Sequence, residues 1–136
     1  MNRNIMLTLC KYHIFSILWG IMIFILCVVK IPQQEKPITI PNFDKIVHFT
    51  MYFFFSLFYI LENFRYKSLK KHKLFILYLV TILLSLLIGG IIEIIQSDFT
   101  TYRSGDILDW YSDMSGAISA IIIATIYRFV AIKRFR

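Results

Sequence analysis

The sequence predicts an all-α integral membrane protein, a bundle of four transmembrane helices with both termini in the cytoplasm. Of its 136 residues, 58% are hydrophobic and 17% are charged, and the mean hydropathy is +0.69. A water-soluble domain of this composition would expose large apolar patches and aggregate. The long apolar runs exclude disordered and collagen-like proteins. The length suits a single membrane domain, which we assign to residues 1–136.

Four apolar runs are the candidate helices, and each approaches the ~20 residues that cross ~30 Å of hydrocarbon. They cover about residues 12–29, 43–61, 74–96 and 113–132. A secretory signal peptide would end the first run at a small-x-small cleavage pattern, which the stretch from Val28 to Pro32 lacks. We therefore expect the first helix to remain as a membrane anchor.

The basic residues predict the orientation of the helices, because loops rich in Lys and Arg stay in the cytoplasm. The 15 Lys and Arg residues divide eleven to four between the two sides of the predicted bundle. The richer side carries both termini and the loop RYKSLKKHK between the second and third helices. Cytoplasmic loops therefore explain the net charge of +7, and we expect no nucleic-acid partner.

The two cysteines indicate neither a disulfide nor a metal site. Cys10 and Cys27 would lie about 25 Å apart along one continuous helix, which is too far for a bond. We expect both to be passive apolar residues, and we predict no cofactor.

Polar residues at helical spacing begin the second predicted helix. Asp44, His48 and Tyr52 are spaced i, i+4, i+8, so they stack on one face and descend about 12 Å from the headgroups. Lys45 follows Asp44 directly. The stripe either anchors the helix at the membrane interface or forms part of a binding site.

The third predicted helix carries a carboxylate among isoleucines, in the run IGGIIEIIQ. An ionised Glu93 is costly there unless it faces a partner or a wet cavity, so it is a candidate functional residue together with Gln96. The preceding Gly89 and Gly90 allow either a close approach of another helix or a kink.

Acidic residues introduce the fourth predicted helix. Asp106, Asp109, Asp113 and Gly116 are spaced i, i+3, i+7, i+10, which places them on one face, and Ser104 is a candidate N-cap with Asp106 in the first turn. Three carboxylates within two turns repel each other and require positive charge nearby. Arg103 and Lys45 are the expected source, ahead of a divalent metal ion, because no dedicated metal-binding loop is present.

Taken in order, these elements resemble the VanZ-like family of membrane proteins. The matching patterns are Asp44-Lys45-x-x-His48-Phe49-x-x-Tyr52, Gly90-x-x-Glu93-x-x-Gln96 and Arg103-x-x-Asp106-x-x-Asp109-x-x-x-Asp113-x-x-Gly116. The resemblance covers about residues 43–120 and departs at Asp113, where the family usually has Asn. It implies the bacterial cytoplasmic membrane as the location, and a link to lowered teicoplanin susceptibility, without defining a reaction.

Three classes of function fit these residues. The first, which we prefer, is binding of a lipid headgroup or a lipoglycopeptide at an outward-facing polar site. The second is a small intramembrane enzyme acting on a phosphorylated polyprenyl or phospholipid substrate, with candidate acids and bases His48, Glu93, Asp106 and Asp109. The third is a transporter or lipid-translocating subunit, for which four helices are few. The predicted ligand-binding residues are Asp44, Lys45, His48, Tyr52, Glu93, Gln96, Arg103, Asp106, Asp109 and Asp113.

The predicted orientation is tested by labelling in intact cells. A membrane-impermeant thiol reagent should modify a cysteine introduced at Ser104 and miss one introduced at Ser68, because the two positions are expected on opposite sides. The reverse pattern would place the acidic residues in the cytoplasm.

Overall fold

A computed structural model describes residues 12–29, 41–66, 70–100 and 105–134. Within these ranges the chain forms four α-helices and no strand, which confirms the all-α prediction. They are α1 (Ile14–Val28), α2 (Phe43–Tyr66), α3 (Lys71–Phe99) and α4 (Ile107–Arg134). The first turns of α2 and α4 meet at one end of the bundle, and Ile60, Leu77 and Ala124 pack together toward the other end. The helices therefore alternate in direction, and α2 runs parallel to α4.

Three of the four helices are long and apolar enough to cross a membrane, namely α2, α3 and α4. The described part of α1 has 15 residues, or about 22 Å at 1.5 Å per residue, so it is a shorter apolar helix than the predicted span. Helix α4 begins at Ile107, six residues before the predicted start, because its first acidic residues belong to a helical face turned into the bundle. Asp106 precedes the helix, and its Oδ1 accepts the Leu108 N–H at 2.9 Å, so the prediction that placed Asp106 in the first turn is wrong. Ser104, the predicted N-cap, lies outside the described residues.

The interior of the bundle is more polar than its surface. Ser56, Thr81 and Ser85 are fully buried, and the hydroxyls of Ser56 and Ser85 are 3.1 Å apart between α2 and α3. Large apolar side chains such as Phe75 and Ile91 are instead more than half exposed. Hydrocarbon surroundings stabilise that arrangement, because small and polar residues then hold the helices together from within.

Small residues bring α4 close to α2. Gly116, Ala117, Ala120 and Ala124 form the buried stripe of α4 below its acidic residues. A Cβ added at Gly116 would overlap the Phe49 carbonyl oxygen and lie 3.0 Å from the Phe53 nitrogen, both backbone atoms of α2. Only glycine allows this contact, which sets the separation of the two helices.

Side chains from α2 and α3 hold both ends of α1. At its start, Glu62 accepts hydrogen bonds from the Phe15 N–H at 2.7 Å and the Ser16 hydroxyl at 2.6 Å. At its end, the Gln96 amide donates to the Cys27 carbonyl oxygen at 2.9 Å. These bonds satisfy backbone groups that a helix end leaves free. The Cys27 thiol is buried and forms no disulfide, and Cys10 lies outside the described residues.

The tight α2–α4 contact predicts an unequal effect of two glycine substitutions. Gly116→Ala should lower the free energy of unfolding by about 1–3 kcal/mol, because the methyl group must displace α2 backbone. Gly90→Ala is the matched control, since its Cβ would meet only Trp110 Nε1 at 3.5 Å, and alanine is the better helix former. Thermal unfolding in detergent measures both, and equal stability of the two variants would contradict the prediction.

Candidate functional site

Ionisable side chains from three helices gather at the end of the bundle where α2 and α4 begin and α3 ends. We call them the polar cluster, which comprises Asp44, Lys45, His48, Glu93, Asp106, Asp109 and Asp113. The helical spacing of the sequence produces it: one face of α2 meets one face of α4. Charged groups at this depth are costly and are typical of functional positions in membrane proteins.

Lys45 joins the two helices through two carboxylates. Its Nζ is 2.5 Å from Asp106 Oδ2 and 2.9 Å from Asp109 Oδ1. The prediction that Lys45 neutralises these acids is confirmed, whereas Arg103, the second expected cation, lies outside the described residues. Asp106 precedes the membrane-spanning part of α4, and the hydrogen bond from Lys45 lowers the pKa of its carboxyl below the usual 3.8.

His48 and Asp113 form a buried pair one turn deeper. His48 Nδ1 is 3.0 Å from Asp113 Oδ1, and both side chains are at most 2% exposed. A carboxylate only accepts, so Nδ1–H is the donor, and in a neutral imidazole Nε2 then carries the lone pair. Nε2 lies 4.0 Å from Asp109 Oδ2. Asp113 therefore orients the ring and leaves its second nitrogen facing the other acids.

Gly89 makes room for Asp113 on the facing surface of α3. A Cβ at Gly89 would lie 2.5 Å from Asp113 Oδ2 and 3.1 Å from the Trp110 ring. Trp110 also donates its indole N–H to the Leu86 carbonyl oxygen at 3.0 Å. Of the two roles that the sequence left open for the glycine pair, Gly89 serves the close approach of helices.

Glu93 holds the segment before α4 against α3. Its Oε2 accepts the backbone N–H of Asp106 at 2.6 Å, and a Cβ at Gly105 would lie 2.7 Å from the Glu93 carbonyl oxygen. The other carboxylate oxygen, Oε1, is buried and has no hydrogen-bond partner in the described part of the chain. Glu93 therefore faces a partner, as expected for a carboxylate among isoleucines, but that partner is backbone.

Two predicted site residues lie away from the ion pairs. Tyr52 is fully buried below His48 in the apolar core of α1, α2 and α3, and its hydroxyl has no partner among the described residues. Gln96 uses its amide on α1. Asp44, by contrast, is exposed at the rim, and one donor atom each of Asp44, His48 and Asp109 lie within 4.8 Å of one another.

A groove between the first turns of α2 and α4 opens beside Lys45. It has a volume of about 440 Å³ and is lined by Asn42, Lys45, Leu108, Tyr111, Ser112 and Ser115. The sequence did not single out Leu108, Ser112 or Ser115, because each is an ordinary surface residue on its own. Asn42 alone carried a signal: it follows Pro41 directly before α2 and adopts φ of 58°, a left-handed conformation that Asn tolerates.

A family model described as VanZ/LLP1 matches residues 4–128, which is most of the chain and includes the whole polar cluster. Searches of curated proteins and of solved structures give no match.

The lowered pKa of Asp106 predicts a pH-dependent contribution to stability. Asp106→Asn removes the negative charge but keeps a side-chain oxygen that can accept the Leu108 N–H at the start of α4. Because the folded pKa lies below 3.8, the ion pair stabilises the fold above that pH and is lost as the pH falls through the folded pKa. Wild type should therefore be the more stable at neutral pH, and the difference should shrink in acid. Unfolding in detergent across this range measures it, and a difference independent of pH would refute the assignment.

Proposed function

Because the chain belongs to the VanZ-like family of membrane proteins, we propose that it binds an amphipathic molecule of the bacterial envelope through its polar headgroup. The ligand is a lipid or a lipoglycopeptide that carries a phosphate or carboxylate. The site is the groove between α2 and α4, and it opens on the extracytoplasmic side of the membrane, with both chain termini in the cytoplasm.

The observation that carries this proposal is the position of Lys45. Its side chain is 24% exposed and lines the groove, while Asp106 and Asp109 hold it from the other side. An ammonium group has three N–H donors and two are used by these carboxylates, so one remains for a ligand in the groove. The two acids fix the lysine at a depth where an unpaired charge would be costly.

The backbone of the two helices favours the same ligand. Helices α2 and α4 run parallel and begin on either side of the groove. The N-terminus of a helix carries partial positive charge and free N–H groups, which favour anions. The polar groups of Asn42 and Tyr111 line the groove as well. Tyr111 is half exposed, which suits a ring that contacts headgroups at the membrane interface.

Binding at this site would explain how the protein could lower glycopeptide susceptibility without carrying out a reaction. A lipoglycopeptide combines an acyl chain with ionised groups, so it presents the same two features as a phospholipid. The bound molecule would extend its apolar part along the exposed hydrophobic faces of α2 and α4. We propose that occupancy of the groove changes the amount of lipoglycopeptide free to act at the outer surface.

Ligand retention by purified protein tests the proposal. Wild-type protein in nanodiscs should retain phosphatidylglycerol or teicoplanin, and Lys45→Gln should retain at least about tenfold less, since charged hydrogen bonds contribute about 1.5–3 kcal/mol. Ser115→Phe fills the groove without touching either ion pair and should have a similar effect. Native mass spectrometry measures retention of the lipid, and equilibrium dialysis measures retention of teicoplanin.

Two matched variants control for general effects. Lys71→Gln removes a lysine at the opposite end of the bundle, and Ser97→Phe adds the same ring at the polar end outside the groove. Both should retain ligand as wild type does. Wild-type retention in Lys45→Gln and Ser115→Phe, or equal loss in the two controls, would refute the groove as the binding site.

A further inference from the structure

The geometry points to a divalent metal site that is formed by Asp44, His48 and Asp109 and is suited to Mn²⁺ or Zn²⁺. Lys45 contacts Oδ1 of Asp109, and the metal site uses Oδ2 of the same carboxylate. This inference concerns a different ligand from the headgroup in the groove and does not depend on it. The groove uses Lys45 as its charged group, whereas the metal site uses the carboxylates and the imidazole of the polar cluster.

The donor atoms are already close together. One donor atom from each of the three residues lies within 4.8 Å of the others, and His48 Nε2 is 4.0 Å from Asp109 Oδ2. Ligands about 2.1 Å from a tetrahedral ion lie about 3.4 Å apart, so the donor atoms must approach one another by about 0.6 Å to at most about 1.4 Å to complete the site. Rotation of the exposed Asp44 side chain supplies the largest of these adjustments.

The buried imidazole supplies an independent indication of a ligand. The His48 side chain is 2% exposed, and Asp113 holds its Nδ1. Its Nε2 lies 4.0 Å from Asp109 Oδ2, and a ring nitrogen of His48 lies within 4.8 Å of a carboxylate oxygen of Asp44. A neutral imidazole whose Nδ1–H is donated to Asp113 has a lone pair on Nε2, and a cation between that nitrogen and the two carboxylates would bind all three groups.

The surrounding contacts match those of metal ligands. A metal-bound histidine usually donates its other ring N–H to a carboxylate, which fixes the orientation of the ring. Asp113 does this for His48 at 3.0 Å. Ligating carboxylates are in turn hydrogen-bonded, and Asp109 Oδ1 receives Lys45 at 2.9 Å, leaving Oδ2 for the ion.

The charge of the described part of the polar cluster also favours a bound cation. Among the described residues, Lys45 is the one permanent cation beside five carboxyl groups, and its ion pairs go to Asp106 and Asp109. Asp44 makes no ion pair with any described residue. Because it lies exposed at the rim, it also provides an entry path and leaves a coordination position open to water or substrate.

The mixed donor set indicates which ions fit. Imidazole suits Zn²⁺ and other transition metals, and carboxylates suit Mn²⁺, Mg²⁺ and Ca²⁺. One nitrogen and two carboxylate oxygens therefore favour Mn²⁺ or Zn²⁺ over Ca²⁺, which takes six to eight oxygen ligands.

Mn²⁺ binding by the whole protein in detergent, after treatment with a chelator, tests the site. Wild type should bind about one Mn²⁺ per chain, and the electron spin echo of the bound ion should show coupling to one imidazole nitrogen. Asp44→Asn changes an exposed residue, so the fold should survive, and it should weaken Mn²⁺ binding at least about tenfold. Competition with Zn²⁺ should displace the manganese.

Asp98→Asn is the matched control, because it removes an exposed carboxylate at the end of α3, outside the donor set. It should bind Mn²⁺ as wild type does. Absence of stoichiometric binding, a bound ion without nitrogen coupling, or equal weakening in Asp98→Asn would overturn the inference. If Lys45→Gln loses lipid retention but still binds manganese, the headgroup and the metal ion bind at two independent sites.

Discussion

The docking of α2 against α4 through paired polar side chains is the interaction on which the rest of the molecule depends. Lys45 and His48 on α2 each meet an aspartate on α4, and Gly116 removes the bulk that would hold the backbones apart. Within a membrane these pairs contribute mainly through the cost of separating them, because each partner left alone would be a buried charge or polar group without a partner. The same contacts that join the helices therefore form the polar cluster.

The two proposed ligands use the two sides of one carboxylate. Lys45 forms an ion pair with Asp109 Oδ1 and also lines the groove, while Asp109 Oδ2 faces His48 and Asp44. A headgroup and a metal ion would then occupy neighbouring positions without competing for a ligand atom. Their opposite charges would favour joint occupancy, since each lowers the electrostatic cost of the other.

Helical periodicity was sufficient to predict which side chains share a face. It placed Asp44 and His48 together on α2, and Asp109, Asp113 and Gly116 together on α4. It could not predict the partners across helices, since the His48–Asp113 pair joins residues 65 positions apart and depends on how two helices align. Nor could it predict the partners of Glu93 and Gln96, because both partners are backbone groups. The start of α4 was placed too late because hydropathy alone does not distinguish acids that face inward from a polar loop.

The parallel alignment of α2 and α4 has a mechanical consequence. Sliding one helix along the other by a single turn, about 5.4 Å, would move Gly116 away from the backbone of Phe49 and Phe53 and bring a residue with a Cβ into its place. The glycine contact and the pairs of Lys45 and His48 with Asp109 and Asp113 therefore all form at the same offset of the two helices. A molecule that contacts both helices at this end of the bundle would therefore stabilise α2 and α4 at this offset.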